Sequence, residues 1–365
     1  MLNFLRLIFD LQDDLVHRRL TNGSTQTFIL YERGRVRAIT SRIIRDRIVR
    51  HILCDDILMP EIRKHIIYDN CASLKGRGIS QQRKRFEIHL HKYYQINGNE
   101  GWILFGDFSK FYDNIIHSIA KAQLLNLLNN DEYLDWLLTV IFSGFVVDVS
   151  YLTNAEYEAC LYTIYNSLDH REIPQNCLTG EKLMEKSVDI GDQLSQSIGI
   201  YYPHPIDNYV KTVRSQKFYG RYMDDWYIMS PNKQELCDIL DGIVKIASPL
   251  GIHINLKKTR IVSISGTYKF LQIKYSLDKN GKVYKRLSPN KVYRMRRKLK
   301  KLKVKVDNNL TTYDSVENMF RGWMGSFYKL MSRSQRKGLL LLYEELFNKS
   351  IIVSNKKLVV QERGR

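Results

Sequence analysis

Asp224 and Asp225 stand side by side in Phe-Tyr-Gly-Arg-Tyr-Met-Asp-Asp-Trp-Tyr-Ile-Met-Ser, residues 218–230. Adjacent carboxylates repel, and they cannot be half-buried unless something positive pairs with them. A divalent cation is the obvious candidate. An ordinary Asp-Asp surface turn is the alternative, but within a hydrophobic strand pattern a mere turn more often carries Gly or Asn. A further acid, Asp107, follows Gly106 at the end of the hydrophobic run 102–105. That position suits a metal ligand, with a salt-bridged structural Asp as the alternative. One acid after a strand and an acidic pair in a hairpin are the parts that two-metal phosphoryl transfer needs. Two Mg²⁺ ions about 3.5–4 Å apart would lower the pKa of an attacking hydroxyl and neutralise charge on a leaving pyrophosphate, with Mn²⁺ as an alternative ion. Carboxylates without His or Cys match the oxygen donors that Mg²⁺ prefers.

The elements that must hold these acids follow from local patterns. Long side chains with β propensity flank the pair, which predicts a hairpin with the carboxylates at its bend. Leu5, Ile8, Leu11 and Leu15 at helical spacing predict a short amphipathic helix over residues 4–20. Residues 28–31 and 36–39 read as two strands joined at Gly34. In residues 41–53, Ile44, Ile48 and Ile52 form an apolar face among arginines, a helix with one basic side. With Arg35 and Arg37 ahead of it, the stretch concentrates guanidinium groups, which grip phosphates in a bidentate way. Residues 75–78 form a basic loop without the length or order of a P-loop. After Asp107, a helix is expected through Leu128. Over residues 144–186 the pattern loosens into a strand (146–151), a short helix (154–165) and loop, with no evident chemistry. Gly191 begins a tight turn ahead of a helix reaching Val210. Residues 233–247 read as a helix, residues 252–256 as a strand, and residues 270–275 with 283–284 as a hairpin around 279–281. Residues 285–305 hold eleven basic residues and no acid. Such a run repels itself unless an anion neutralises it. Helices over residues 315–347 complete a bundle in which Trp323 and Phe327 are core, and residues 348–365 read as a loose polar tail.

Composition sets the bounds. At 365 residues and 43.1 kDa there is room for two or three subdomains. The 57 Lys and Arg against 38 Asp and Glu give a net charge of +19, which favours a polyanionic partner, nucleic acid before an anionic membrane. The charge is interleaved with core patterns and is not confined to one amphipathic face, which argues against a membrane-surface protein. No apolar run approaches the roughly 20 residues that span a bilayer. The apolar opening runs at once into Asp10, Asp13 and Asp14, so no signal peptide is expected. Five scattered cysteines argue against a zinc site or a disulfide framework and fit a cytoplasmic protein.

Tyr222-Met223-Asp224-Asp225 resembles the tyrosine-x-Asp-Asp box of reverse transcriptases. Several further stretches resemble motifs of that family in the same order, those of its prokaryotic members above all. The resemblance implies an α+β right-hand polymerase fold. Fingers with an N-terminal helix would cover 1–105, and a palm, whose antiparallel sheet carries the acids, 106–284. A basic helical thumb would cover 285–347, and a tail 348–365. Residues 35–53 resemble the fingers segment in which arginines precede an Arg-Asp-Arg helix, so Arg35 and Arg37 are expected at the dNTP. Residues 107–115 resemble the first catalytic motif, in which Phe108 joins Asp107 at the metal and Tyr112 blocks a 2′-hydroxyl. Gly191 and Gln196 are expected near the nucleotide. Lys258 occupies the place of a lysine that protonates pyrophosphate. Phe270-Leu271-Gln272 resembles the primer grip, with Gln272 where many relatives carry Gly. Nucleic acid would also meet Tyr222, Met223 and the basic residues Arg294, Arg296, Arg297 and Lys298.

The Ile190-Gly191…Ser195-Gln196 stretch is similar to that of diversity-generating retroelements, whose enzymes copy a template RNA with errors at adenines. Bacterial defence reverse transcriptases are also close in architecture. Implied partners are an RNA template, a DNA or RNA primer and dNTPs, with a structured non-coding RNA or an accessory protein as further candidates, and no membrane. Two competing readings are a polymerase of this fold that works without a template and a non-catalytic RNA-binding relative. The intact set of three acids speaks against the second.

Overall fold

The computed structural model describes residues 2–32, 35–354 and 357–362, with side chains for residues 4–31, 36–170 and 172–349. The chain divides into two compact units, Met1–His89 with Gly101–Val262, and Leu90–Glu100 with Ser263–Arg365.

In the first unit, α1 (Leu2–Val16) precedes an antiparallel hairpin of β1 (Thr25–Glu32) and β2 (Arg35–Arg42), whose turn at Gly34 lies outside the described residues. α2 (Ile44–Ile52) passes through a π-helical turn into α3 (Met59–His65), and α4 (Ile79–Asn97) begins in this unit and ends in the other. Then come β3 (Trp102–Ser109), α5 (His117–Leu127), α6 (Glu132–Ser143), β4 (Val147–Asp148), α7 (Asn154–Tyr162) and β5 (Leu183–Met184). α8 (Gln193–Tyr201), α9 (His204–Asn208), β6 (Tyr219–Tyr222), β7 (Asp225–Ser230), α10 (Lys233–Ala247), β8 (His253–Ile254) and β9 (Arg260–Ser263) follow.

The central sheet runs β6-β7-β3-β8, with β9 also on β3. Alternation along its strands sends side chains to two faces. Leu104, Phe108, Trp226 and Ile228 join α8 and α10 (Leu194, Ile198, Leu236, Ile239) in the main core. Phe105 and Tyr227 face the other way, with their ring centroids 6.0 and 4.7 Å from that of Phe86 in α4. Each such buried side chain stabilises by about 1.5–3 kcal/mol. Gly106 has no alternative, because a Cβ there would collide with the Trp226 ring.

The second unit contains a three-stranded antiparallel sheet of β10 (Thr267–Phe270), β11 (Ile273–Leu277) and β12 (Val283–Leu287). α11 (Pro289–Asp307), α12 (Tyr313–Phe327) and α13 (Arg333–Phe347) bury Leu299, Phe320 and Leu339 among them, with Trp323 and Phe327 packed against that core as expected. Within the expected tail, β13 (Lys349–Ser354) and β14 (Lys357–Glu362) pair antiparallel, and residues 355–356 and 363–365 lie outside the described residues.

Other expectations also change. β3 continues to Ser109, a single 3-10 turn follows at Tyr112–Asn114, and the next α-helix starts only at His117. The helix after Gly191 ends at Tyr201, where Pro203 and Pro205 cannot supply its hydrogen bonds, and restarts as α9. Residues 270–275 are not one strand. Phe270 pairs with Ile273, and Leu271 and Gln272, at φ 41° and 73°, make the two-residue turn between β10 and β11. α2 is rotated relative to its apolar pattern. Asp46, Val49 and Arg50 are its buried residues, while Ile44 and Ile52 are exposed. No described helix is long and apolar enough to cross a membrane.

Candidate active site

β3 and β7 pair so that Asp107 lies directly opposite Asp225. Side chains at opposed positions share one face, with Cβ atoms roughly 4.5–5.5 Å apart. Asp224 precedes Asp225 in the turn, and its carbonyl accepts a bond from the Phe108 amide at 3.2 Å. The Phe108 ring is buried in the core, so only its backbone is available to a metal site. Asp107 is itself buried, and its charge is met from the turn between β8 and β9. The Lys258 ammonium lies 2.6 Å from both carboxylate oxygens, and Asn255 Nδ2 donates to one of them at 3.0 Å. Among the described residues no group of three or more acids, histidines or cysteines is gathered tightly enough to hold a metal as it stands. The residues nevertheless suit one. The donors are oxygens, and a cation already sits on Asp107.

The turn bearing the acids is held from behind by Arg221, a residue to which sequence reasoning assigned nothing. Its guanidinium is fully buried, pairs with Asp207 at 2.7 Å, and donates to the carbonyls of Ile200 at 2.7 Å and Met223 at 3.1 Å. Burial alone would lower the Arg221 pKa, but Asp207 outweighs it and the net shift is upward. The signal available in the sequence was a lone arginine inside an otherwise hydrophobic strand. Met223 takes φ 55°, and its sulfur lies 3.9 Å from the Tyr112 hydroxyl. A Cβ on Gly199 would come within 2.8 Å of that same hydroxyl. Burial, then the Asp224 carboxylate, push the Tyr112 pKa up, while the Arg37 guanidinium pulls it down. The Arg35 side chain lies outside the described residues.

The expected cluster of phosphate-gripping arginines is largely spent on the protein itself. Arg42 pairs with Asp192 at 2.7 Å and Asp189 at 2.5 Å, Arg50 with Asp192 at 2.8 Å, and Arg45 with Asp14 at 2.8 Å. Asp192 also caps α8 through the Leu194 amide at 2.8 Å. Arg47, by contrast, is exposed. Gly191, at φ 113°, brings its backbone against β2, and a Cβ there would lie 3.1 Å from the Thr40 carbonyl. It lines a cavity of about 230 Å³ with Arg47 and His51, whereas Gln196 lines another of about 450 Å³ with Asp55, Arg63 and Lys75. Tyr222 is half-buried. Phe270 and Leu271 are buried, so their turn offers backbone and not stacking rings. Arg294, Arg296, Arg297 and Lys298 are exposed on α11, Arg294 and Arg297 on the side opposite its buried Val292, Met295 and Leu299.

The family model described as reverse transcriptase (RNA-dependent DNA polymerase) matches residues 32–275, which include Asp107, Asp224 and Asp225. The chain belongs to the reverse transcriptase family. Solved structures similar to this reverse transcriptase include telomerase from Candida albicans in complex with a fragment of telomeric RNA. That chain is 14% identical, with 91% of this chain and 62% of the telomerase covered and a TM-score of 0.49. Apo telomerase from Candida tropicalis truncated from the C-terminal domain is 12% identical, covering 76% of this chain and 59% of that one, with a TM-score of 0.46. Apo telomerase from Candida tropicalis is 13% identical, with 94% of this chain and 68% of that one covered and a TM-score of 0.41. This chain therefore spans about three fifths of the length of the first telomerase. None of the curated proteins matches it.

Proposed function

We propose that this reverse transcriptase is an RNA-directed DNA polymerase that adds dNTPs to a primer 3′-hydroxyl, with Asp107, Asp224 and Asp225 holding two Mg²⁺ ions. The observation that carries this reading is the register that sets Asp225 opposite Asp107. The ions, when bound, would acidify the attacking hydroxyl and screen the leaving pyrophosphate. Lys258 would leave Asp107 and donate a proton to the pyrophosphate. Arg35, Arg37, Gly191 and Gln196 would surround the dNTP, with Tyr112 beneath its sugar. Tyr222, Met223, the 270–272 turn and α11 would bind template and primer. Fingers, palm and thumb would divide at residues 105 and 284, and five free cysteines fit a cytoplasmic setting. Asp224→Asn or Asp107→Asn should abolish dNTP incorporation and leave RNA binding largely intact. Full incorporation by either variant would overturn the assignment.

Within the family we place the chain with prokaryotic enzymes that make error-prone cDNA in diversity-generating retroelements. The support is Ile190 ahead of Gly191, where most relatives carry Gln. An amide there can bond the nucleotide or the template strand, whereas an isoleucine offers only shape. A lost hydrogen bond is worth on the order of 1 kcal/mol, roughly fivefold in discrimination. Copying should be least accurate opposite template adenine, and Ile190→Gln should improve it, as read by deep sequencing of cDNA made on a defined RNA. Equal error spectra would move the weight to an antiphage defence enzyme, a reading favoured by the 144–186 segment, which is long for a retroelement enzyme.

A further inference from the structure

Residues 144–186, which showed no chemistry in the sequence, fold as a small body of their own. β4 pairs with β5, and Val149, Tyr165 and Met184 form a core separate from the main one. α7 carries a capping box between Thr153 and Glu156 and contributes no buried residue. At its far end the buried Lys186 ammonium donates to the carbonyls of Cys160 at 3.0 Å and Thr163 at 2.8 Å. Helix C-terminal carbonyls lack partners within the helix, and a cation there satisfies them. Lys186 thus ties α7 to the strand-like stretch 185–188.

The body makes side-chain bonds to one loop in particular, the one that follows Asp107. The Asn114 side chain is buried and bonded in both directions to Tyr165, accepting from its amide at 2.9 Å and donating to its carbonyl at 3.1 Å. Ser167 donates its hydroxyl to the buried Asp113 carboxylate at 2.7 Å, and Lys110 donates to Asn166 at 2.7 Å. Across the loop, the amides of Ser187 and Val188 donate to the carbonyls of Ile115 at 2.9 Å and Tyr112 at 3.0 Å. Residues 110–115 are therefore gripped between the 165–167 stretch of that body and residues 187–188 just beyond its C-terminal end, and Tyr112 lies within the grip. Lys110 holds φ 45° at the loop's start, a conformation that surrounding contacts must maintain.

We infer that the 144–186 body is a clamp on the Tyr112 loop, and that Asn114, Asp113 and Ser167 are positioning residues for sugar selection by this enzyme. The inference rests on the proposed role of Tyr112 as the side chain that excludes a 2′-hydroxyl. A ring that discriminates by contact with one oxygen loses selectivity once its loop shifts by a fraction of an ångström. The dNTP reaction does not need that contact and is affected much less.

The test measures kcat/KM for a dNTP and for the matching rNTP in the full chain and in Ser167→Ala, Ser167→Thr, Tyr112→Ala and the Ser167→Ala/Tyr112→Ala double variant. Ser167→Ala is mild, because the Ser167 backbone amide also bonds Asp113 and stays in place. The dNTP preference should fall about fivefold in Ser167→Ala, the effect of one lost hydrogen bond. It should recover in Ser167→Thr, while dNTP incorporation changes little. In the double variant, Ser167→Ala should cost no further preference beyond Tyr112→Ala, since both act through one ring. Loss of preference in Tyr112→Ala with none in Ser167→Ala would overturn the clamp and leave the role of Tyr112 standing. Additive losses would also overturn it. An unchanged preference in Tyr112→Ala would remove the role of Tyr112 itself, and the clamp with it.

Discussion

Arg221 shows how a single residue fixes the position of the acids without touching substrate. One guanidinium joins Asp207, the end of α8 and the Met223 carbonyl in the turn ahead of Asp224. Tyr219 adds its hydroxyl to the same Asp207 carboxylate at 2.5 Å. Arg221→Met would leave a buried carboxylate and two carbonyls without their donor. Breaking a buried pair in this way costs about 3–5 kcal/mol, a large part of the roughly 5–15 kcal/mol that holds a protein folded. Urea denaturation should show that loss, and a change below about 1 kcal/mol would mean that water or a neighbour replaces the arginine. The acids themselves were legible from the sequence, because charge inside a strand pattern has few explanations. Arg221 was not, because its partners Asp207 and Ile200 lie 14 and 21 positions upstream and Met223 in the turn itself, and no local pattern encodes that convergence.

The legibility of elements depended on where their contacts came from. α10 has Leu236, Ile239 and Ile243 on one face and lies over Lys233–Ala247, as the spacing predicts. α2 has an equally clear period but buries the opposite face, because Asp192 draws Arg50 inward while Arg42 is held beside it on the same carboxylate. Hydrophobic periodicity cannot anticipate a buried ion pair whose partner is 142 positions away. The 270–275 stretch misled for another reason. Two non-glycine residues with positive φ make a turn that composition does not announce.

The exposed face of α11 is the element whose role is most open to measurement. Arg294, Arg296 and Arg297 are all exposed on it. If they meet phosphates, log affinity for a template–primer should fall with log salt, each contact contributing about −0.9 to the slope for B-form DNA. Changing all three to Gln should flatten that slope by up to roughly three such contributions. An unchanged salt dependence would place the helix against solvent.

For the molecule as a whole, a net charge of +19 makes acid a threat, since protonating carboxylates removes the anions that hold basic groups together. Asp69 is the most telling case. It pairs with Arg85 at 2.6 Å and stands 3.4 Å from His89 and 3.5 Å from Lys211. Burial alone would push its carboxyl up, but the bonds from His89 and Arg85 and the charge on Lys211 prevail and hold it at about 2, against an ordinary 3.8. A depressed folded pKa contributes stability that is fully present above the unfolded value. That contribution is lost as pH falls through the folded one, here from about 4 down to about 2. The amount is about 2 kcal/mol. Thermal melts across that window should show the decline, and Asp69→Asn should be less stable at neutral pH with a shallower acid slope. A variant with the wild-type acid slope would mean that other carboxylates govern it.

The ammonium resting on Asp107 would make cation entry an exchange, not an addition. On the proposed function, a divalent ion taking the carboxylate would release Lys258, so the pocket would gain one unit of charge and not two. The displaced group is half exposed and stays on its tether. On the proposed function it would become a mobile counter-ion within reach of the next anion to arrive. One lysine would thereby serve in sequence, first as a placeholder for the metal and then as a partner for a phosphate.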